Sequence, residues 1–245
     1  MNYKLTIIIP TFNSEKFLNE TLFHLKKQTF KKFIIYVADG GSKDNTLKIF
    51  KKSKLKHKII SKHDFSTEDG INKCLKKINT KFFSILGSDD YYENSKYLEN
   101  MVKVLEKKNF DIVFPNLVYL EGDKKIYKPQ NYEFDVIKYR TILPGLGWVA
   151  KSNISQYLFN TKYKIATDYE YLLRLYKSNF KFYREKKSIH CFRLGAKSYI
   201  NYSKSLKEVK EIAFKFRGPK IKIYYFYFYQ NLKFIIKNKL KFLYN

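Results

Sequence analysis

Residues 82–92 read Phe-Phe-Ser-Ile-Leu-Gly-Ser-Asp-Asp-Tyr-Tyr, and this stretch points to the fold class. Its apolar run is typical of a buried strand, and two carboxylates, Asp89 and Asp90, follow directly. Ligands of a parallel α/β sheet bind beyond the carboxyl ends of the strands, and hard divalent cations prefer oxygen ligands. The two aspartates therefore stand where a metal–diphosphate site would be built. A turn or a helix cap also explains an Asp-Asp pair after a strand.

The residues before this stretch repeat a pattern of a buried strand followed by a helix. Each apolar run that is typical of a strand is followed by apolar residues at helical spacing, such as Leu18, Leu22 and Leu25 after the first run. This alternation predicts an α/β protein with a mostly parallel central sheet flanked by helices. The expected strands are 5–10, 33–38, 58–61 and 82–86, and helices are expected near 17–25, 68–78 and 96–107.

The pattern is less regular in the second half of the chain. Glu121-Gly122-Asp123 is typical of a hairpin turn, and residues 130–165 show no clear period. The elements expected here are strands at 112–120, 125–127, 181–184 and 188–193, and a helix at 168–178.

Composition is consistent with a folded protein that has anionic partners. Of the 245 residues, 44% are hydrophobic, which is enough for a sizeable core in one large domain. The net charge of +27 predicts nucleic acid, a membrane surface or phosphorylated substrates as partners, unless the lysines are simply solvated. Cys74 and Cys191 form neither a metal motif nor a disulfide framework, which favours a reducing compartment. No stretch approaches the ~20 apolar residues of a membrane-spanning helix.

Residues 203–245 differ in composition from the rest of the chain. They hold eleven Lys or Arg and two Glu, interleaved with aromatic residues and divided at Gly218-Pro219. Lysines attract anionic lipid, and Tyr and Phe suit the headgroup interface. We therefore predict a catalytic domain at 1–202 and a basic, aromatic-rich helical tail at 203–245 that lies on an anionic membrane surface. A helix packed on the domain, or a segment that binds single-stranded nucleic acid, is the alternative.

Six segments, taken in order, resemble one known family. The chain resembles glycosyltransferase family 2, whose members have the GT-A fold, of the bacterial surface-polysaccharide type. The resemblance covers residues 4 to about 200. The segments are Ile8-Ile-Pro-Thr-Phe-Asn13, Asp39-Gly-Gly-Ser-Lys-Asp44, Asp64-Phe-Ser-Thr-Glu-Asp-Gly-Ile-Asn-Lys73, Ile85-Leu-Gly-Ser-Asp-Asp90, Ile165-Ala-Thr-Asp-Tyr-Glu-Tyr-Leu-Leu-Arg-Leu175 and Phe192-Arg-Leu-Gly-Ala-Lys-Ser198.

The resemblance implies a nucleotide-sugar donor site at the strand ends. Asp39 would accept a hydrogen bond from the nucleotide base, although a hydrogen bond within its own turn explains this residue too. Asp69 and Lys73 share a helix face and either contact the donor or form an ion pair with each other. The donor-binding residues implied are Pro10, Thr11, Asn13, Asp39, Asp69, Asn72, Lys73, Asp89 and Arg193.

The resemblance also implies the roles of metal and base. Asp90 and Asp89 would hold Mn²⁺ or Mg²⁺, with Asp89 touching ribose or metal, and the ion would bridge the diphosphate as it leaves. Asp168 would be the catalytic base that takes the proton of the acceptor hydroxyl, and it is also placed as a helix N-cap. Arg193 and Ser198 would lie in a mobile loop over the diphosphate, while a surface ion pair is the alternative for Arg193.

Four positions depart from the family pattern. They are Gly87, where Asp or Asn is common, Ala196 at a family glycine, Pro144-Gly145 in place of a His-Gln pair, and Cys74 at a glycine. These departures affect the expected identity of the donor and the acceptor more than the expected class of reaction. The chain has four histidines, and although His63 and His190 are near the site, neither is expected to be a ligand.

The resulting hypothesis is an inverting, metal-dependent glycosyltransferase of surface polysaccharide biosynthesis. It would move a hexosyl or N-acetylhexosaminyl group from a nucleoside-diphosphate sugar, most simply a UDP-sugar, to a glycan or lipid-linked oligosaccharide. It would work in the cytoplasm, peripheral on the inner membrane face. The alternative is a basic protein that binds nucleic acid or a membrane surface without catalysis.

Overall fold

The computed structural model describes residues 2–61, 64–127, 133–140, 145–194 and 202–243. The strands are β1 (Leu5–Thr11), β2 (Phe33–Asp39), β3 (His57–Ser61), β4 (Phe82–Ile85), β5 (Tyr91–Tyr92), β6 (Ile112–Glu121), β7 (Lys124–Tyr127), β8 (Val149–Lys151) and β9 (Phe182–Arg193). The α-helices are α1 (Glu15–Lys26), α2 (Thr46–Lys52), α3 (Thr67–Leu75), α4 (Tyr97–Lys107), α5 (Thr167–Lys177), α6 (Tyr202–Lys215) and α7 (Lys220–Leu243). Short 3₁₀ helices lie at Phe134–Lys138 and Ser152–Gln156.

Within these ranges, the strands form one sheet in the order β3-β2-β1-β4-β8-β6-β9-β5, and β7 pairs with β6. Strands β3, β2, β1 and β4 are parallel, as the alternation of strands and helices predicts. Because β1 and β2 pair in register from Leu5–Phe33 to Thr11–Asp39, their polar carboxyl ends reach the same edge. Antiparallel β8 joins this half to β6 and β9, so the second half of the sheet is mixed.

The two faces of the sheet bury separate hydrophobic clusters. Along β1, Ile8 belongs to one cluster and Ile7 and Ile9 belong to the other, and all three are fully buried. Side chains alternate across a strand, so a parallel strand covered by helices on both faces is apolar along its whole length. This explains why β1, β2 and β4 stand out in the sequence.

Strand β9 is one element where the sequence predicted two strands. Its pairing with β6 changes register between Phe114 and Asn116, opposite Arg184 and Ile189. Pro115 lies at this point and has no N–H to donate to the ladder. The side chain of Asn116 bridges the irregularity, since its Nδ2 donates to the Lys186 carbonyl and its Oδ1 accepts from Arg184 Nε. The polar residues at this irregularity interrupt the apolar pattern of the strand, so the sequence predicts two strands with a break between them.

The C-terminal segment packs on the sheet domain for part of its length. Helix α6 starts at the predicted boundary, but it is not separate, because Val209, Ile212 and Ala213 are buried in the larger cluster. Ile223 and Tyr227 of α7 join the same cluster. No helix in the described ranges has both the length and the apolar character needed to cross a membrane.

Candidate active site

Asp39 closes the turn that comes after β2. Its Oδ1 accepts from the hydroxyls of Thr11 (3.1 Å) and Ser42 (2.6 Å). Its Oδ2 accepts from the backbone amides of Gly41 (3.1 Å) and Ser42 (3.0 Å). Gly41 has φ of 94°, which glycine adopts without strain. These contacts use the acceptor capacity of the carboxylate, so the turn hydrogen bond is present and a nucleotide base would have to displace a donor.

Asn13 braces the loops at the ends of β1 and β2 against each other. Its backbone amide donates to the Ser42 hydroxyl, and its Oδ1 accepts from the Lys43 amide, both at 2.9 Å. The residue has φ of 49°, a left-handed conformation that asparagine tolerates better than most residues. Asn13 therefore shapes the rim of the predicted donor site through backbone contacts.

A cleft of about 530 Å³ lies beyond the carboxyl ends of β1, β2 and β4. It is the place in which the sequence predicts the donor. Its lining includes four segments that the sequence singled out, namely Pro10–Ser14 in part, Gly40, Asp64–Thr67 in part and Gly87–Asp89.

Lys73 lies between two carboxylates. Its Nζ is 2.9 Å from Asp64 Oδ1 and 2.8 Å from Asp69 Oδ2. The hydrogen bond with Asp69 holds the pKa of that carboxyl below its usual range, and the same contacts raise the pKa of Lys73. Gly70 makes room, since a Cβ there would lie 2.4 Å from Asp64 Oδ2. The ion pair between Asp69 and Lys73 that was the alternative interpretation is therefore present.

Asn72 does not fit the donor contact predicted for it. The side chain is buried, its Nδ2 donates to the Phe159 carbonyl (2.9 Å), and its Oδ1 accepts from the Phe159 amide (2.8 Å). The side-chain amide of Asn72 thus bonds to both the N–H and the C=O of Phe159, as the backbone of an adjacent β-strand would. Asn72 ties helix α3 to the segment before α5.

Asp89 and Asp90 point in different directions from the turn after β4. Asp89 is partly buried and lines the cleft. Burial, with the neighbouring Asp90 charge, raises the pKa of Asp89 to about 6. Asp90 is only 1% exposed, and its Oδ1 accepts from the Arg193 amide at 2.9 Å. The other oxygen of Asp90 lies 3.2 Å from His190 Nε2. In this arrangement Asp89 lines the cleft, whereas each oxygen of Asp90, the other predicted metal ligand, contacts a protein group.

His190 is a site residue that the sequence analysis set aside. The ring is fully buried, and Nδ1 lies 3.2 Å from the Leu146 carbonyl. A carbonyl only accepts, so Nδ1 is the donor in this contact, and Nε2 faces the Asp90 carboxylate. Gly147 has φ of 87°, and a Cβ there would lie 1.8 Å from Nδ1, so glycine is required. The sequence feature that could have pointed to His190 is its position three residues before Arg193 in the same predicted strand.

The carboxylate ligands at this site suit a metal ion that is also bound by a phosphate. Within the described ranges, no group of three or more His, Cys, Asp or Glu side chains is placed to hold an ion. Mg²⁺ is typically bound by one or two carboxylates together with substrate phosphates. Asp89, in the cleft and with a raised pKa, provides such a carboxylate. Gly87 lets both carboxylates approach the turn, because a Cβ there would lie 2.6 Å from Asp90 Oδ2 and 3.2 Å from Asp89 Oδ1.

Arg193 forms an ion pair with helix α1. Its Nη2 is 2.6 Å from Glu20 Oε2, and the guanidinium lies 4.0 Å from the centre of the Phe17 ring. Its Nε also donates to the Asp89 carbonyl at 3.2 Å. The ion-pair alternative is thus present, and Arg193 supports the turn that carries Asp89. Ser198, which was predicted to lie in the same loop, is outside the described residues.

Asp168 lies in the first turn of α5 and lines a second cavity of about 320 Å³. The N-cap position is Ala166, so Asp168 is not the cap. Its Oδ1 accepts from the Tyr169 amide at 2.7 Å. Its Oδ2 faces Gly145, where a Cβ would lie 2.1 Å away. Burial raises the pKa of Asp168, and the charge of Glu68 adds to this effect.

The two cavities adjoin each other. Pro10, Thr67 and Leu146 line both of them, so the Asp89 cleft and the Asp168 cavity share a wall. The second cavity is otherwise mainly apolar, and its aromatic lining residues are Tyr119, Phe159 and Phe192. Two bound groups could therefore meet between a carboxylate that suits a metal and a buried carboxylate that suits a proton.

Comparison with known proteins identifies related sequences. Residues 6–193 match the model of the family described as glycosyl transferase family 2. One relative, 28% identical over 86% of this chain and 73% of its own length, is the dolichyl N-acetyl-alpha-D-glucosaminyl phosphate 3-beta-D-2,3-diacetamido-2,3-dideoxy-beta-D-glucuronosyltransferase of Methanococcus voltae. Another is the Escherichia coli UDP-Glc:alpha-D-GlcNAc-diphosphoundecaprenol beta-1,3-glucosyltransferase WfgD, 26% identical over 60% of this chain and 57% of its own length.

Solved structures share the fold. TarS 1-349 of Staphylococcus aureus, in complex with UDP-GlcNAc, has a TM-score of 0.68 at 20% identity and covers 85% of this chain, which spans 66% of that structure. The mannosyltransferase PcManGT of Pyrobaculum calidifontis, in complex with GDP-Man and Mn²⁺, has a TM-score of 0.69 at 16% identity and covers 88% of this chain, which spans 65% of it. Both likenesses confirm the expected GT-A fold. The chain is shorter than these proteins, and it matches only 22% of the full TarS sequence.

Proposed function

Because the chain belongs to glycosyl transferase family 2, we propose that it transfers a sugar from a nucleoside-diphosphate donor to an acceptor hydroxyl with inversion. The observation that carries this proposal is the pair of adjoining cavities, with Asp89 in one and Asp168 in the other. Inversion requires the acceptor to approach the sugar from the face opposite the leaving diphosphate. Donor and acceptor cavities that meet at a common wall meet this requirement.

Asp168 acts as the general base. Its Oδ2 takes the proton of the acceptor hydroxyl while the acceptor oxygen bonds to the anomeric carbon and the bond from that carbon to the diphosphate breaks. Burial raises its pKa, which makes the ionised carboxylate a stronger base than an exposed aspartate. The apolar walls of the cavity keep water from competing for the sugar.

Asp89 is the residue that would hold a divalent cation together with the donor diphosphate. Such an ion, Mn²⁺ or Mg²⁺, neutralises charge on the leaving group when bound. Asp90 keeps Asp89 in place through the His190 contact and the Arg193 amide. A structural neighbour in complex with GDP-Man and Mn²⁺ supports a metal in the family.

A UDP-sugar is the donor we favour, and a lipid-linked oligosaccharide is the acceptor. The named relatives support this, since WfgD is a UDP-Glc transferase on a diphosphoundecaprenol acceptor and TarS has a UDP-GlcNAc complex. The aromatic rings of the second cavity suit the apolar face of an acceptor sugar. We accordingly place the protein in the synthesis of a surface polysaccharide, with a hexosyl or N-acetylhexosaminyl group transferred. Nucleic-acid binding without catalysis is not favoured.

Helix α7 supports a peripheral position on an anionic membrane. Its Ile223 and Tyr227 are buried against the domain, whereas a second apolar face points outward. That face follows helical spacing and is exposed at Ile221, Tyr224, Tyr225, Phe228, Tyr229 and Leu232. Lys222 and Lys233 flank it, so lysines would meet lipid headgroups while the apolar side chains enter the interface. Membrane attachment at this face would keep the enzyme near a lipid-linked acceptor on the cytoplasmic side.

The test begins with calorimetric titration of UDP into the protein, with Mn²⁺ and then with EDTA. We expect metal-dependent binding that Asp89→Asn removes and that Asp123→Asn, a matched change in the exposed hairpin turn, leaves intact. Asp168→Asn should bind UDP normally and lose about 10²–10⁴-fold in transfer rate. Failure of UDP, GDP, CMP and dTDP alike to bind would refute the proposal.

A further inference from the structure

Helix α6 provides a carboxylate to the backbone that leads into Asp168. Glu208 Oε2 accepts from the amides of Ile165 (2.9 Å) and Ala166 (3.0 Å). Both of its oxygens also lie 3.3 Å from the Lys164 amide. These amides belong to the segment that enters α5, whose N-cap is Ala166, and a negative charge beside a helix N-terminus is favourable. Glu208 therefore holds the backbone that leads into α5, at a helix start where the N-cap residue makes no side-chain hydrogen bond.

The C-terminal segment also packs against the 3₁₀ helix Phe134–Lys138, which contacts α5. Gly218, between α6 and α7, packs so closely that a Cβ there would lie 2.2 Å from the Lys138 carbonyl. The neighbouring Ile137 carbonyl accepts from the hydroxyl of Tyr169, the residue after Asp168, at 2.8 Å. The C-terminal segment therefore contacts both the backbone that leads into α5 and the 3₁₀ helix that accepts from Tyr169.

We propose that Glu208 is a positioning residue that sets where the Asp168 carboxylate points. The role rests on the proposed transferase function. Asp168 comes two residues after Ala166, whose amide Glu208 holds, and its Oδ1 accepts from the amide of Tyr169. A shift of the first turn of α5 therefore moves Oδ2 relative to the acceptor hydroxyl. Displacement of about 1 Å at a reacting group can cost about a hundredfold in rate.

The experiment compares Glu208→Gln with Glu211→Gln in the full chain. Glu211 is an exposed residue of the same helix, so the charge change is matched without the contacts. Val209→Ala, which loosens the buried face of α6, controls for general loss of stability. Each variant is measured for UDP affinity, for kcat and acceptor KM well below its Tm, and for amide hydrogen exchange at Ile165 and Ala166.

We expect Glu208→Gln to lose about ten- to a hundredfold in kcat while UDP affinity stays at the wild-type value. Exchange at the two amides should rise at least tenfold, and Glu208→Asp should recover part of the rate. Wild-type kcat in Glu208→Gln would overturn the role and leave the transferase function standing. Parallel loss of UDP binding and kcat, matched by Val209→Ala, would also overturn it. A wild-type chain with no transfer activity would instead refute the proposed function and this role with it.

Discussion

Gly145→Ala offers a test of the catalytic geometry that leaves every charged residue unchanged. A Cβ at this position would lie 2.1 Å from Asp168 Oδ2, 2.9 Å from its Cγ and 3.1 Å from its Cβ. Ordinary contacts between such atoms are about 3.5 Å, so the oxygen would have to move by more than about 1 Å. Rotation of the carboxylate does not relieve the overlap, because the inner atoms of the side chain are also too close.

The backbone around Gly145 is held in place more firmly than the side chain of Asp168. The indole N–H of Trp148 donates to the Gly145 carbonyl at 2.9 Å, and the Gly147 amide donates to the Ile85 carbonyl at 2.8 Å. Trp148 is itself fully buried. We therefore expect the carboxylate to be displaced, with kcat about a hundredfold lower and UDP affinity unchanged.

The assay measures UDP release with a saturating donor and acceptor, beside calorimetric UDP binding. Gly122→Ala is the matched control, because no atom lies within 4 Å of a Cβ there, although its φ of 58° strains any other residue. That control should lose about 1 kcal/mol of unfolding free energy and keep its kcat. A Gly145→Ala enzyme with wild-type kcat would refute the placement of Asp168 as the base. Loss of UDP affinity with kcat would show that the two cavities are not separate sites.

The geometry predicts three further outcomes. Since the pKa of Asp89 is raised to about 6, metal-dependent binding of UDP-GlcNAc should be complete above that pH and weaken as pH falls through it. UDP-GlcNAc is the probe because the terminal phosphate of UDP itself titrates at about pH 6, and calorimetry from pH 5 to pH 8 without such a trend would refute Asp89 as the metal ligand. Asn72→Ala should lower the free energy of unfolding by about 1–3 kcal/mol without changing UDP affinity, and weaker UDP binding at unchanged stability would restore its predicted donor contact. Phe228→Ser should reduce sedimentation with phosphatidylglycerol vesicles at unchanged Tm, whereas Phe23→Ser, at an exposed position on α1, should not; equal binding by both variants would refute attachment through α7.

The parts of the fold that the sequence predicted well are those with a long, uniform period. Strands β1, β2 and β4 are apolar because helices cover both faces of the sheet, and the helices between them carry regular apolar spacing. Strands β5 and β8 have two and three residues, which is too few to show a period. They become strands only because β9, β4 and β6 provide edges for them to pair with.

The candidate site was predictable to the level of which segments meet, and less so for what each side chain does. Asp168 and Asp89 line the cavities, as the motifs indicated. Asn72 does not, because its amide pairs with a backbone unit far along the chain, a partner that no local pattern reveals. The same holds for Glu208, whose contacts cross more than forty residues.

The burial of α6 determines where this protein can be truncated without exposing its core. A shortened chain that ends at residue 202 matches the change in composition, yet it would leave the surface beneath Val209, Ile212 and Ala213 open to water. It would also lose the acceptor for the amides before α5. Attempts to shorten the protein for crystallisation, or to graft another anchor onto it, should therefore keep α6 and the start of α7 through the buried Tyr227, and replace only the residues after it. The last segment of the chain is thus a scaffold as well as the proposed attachment point.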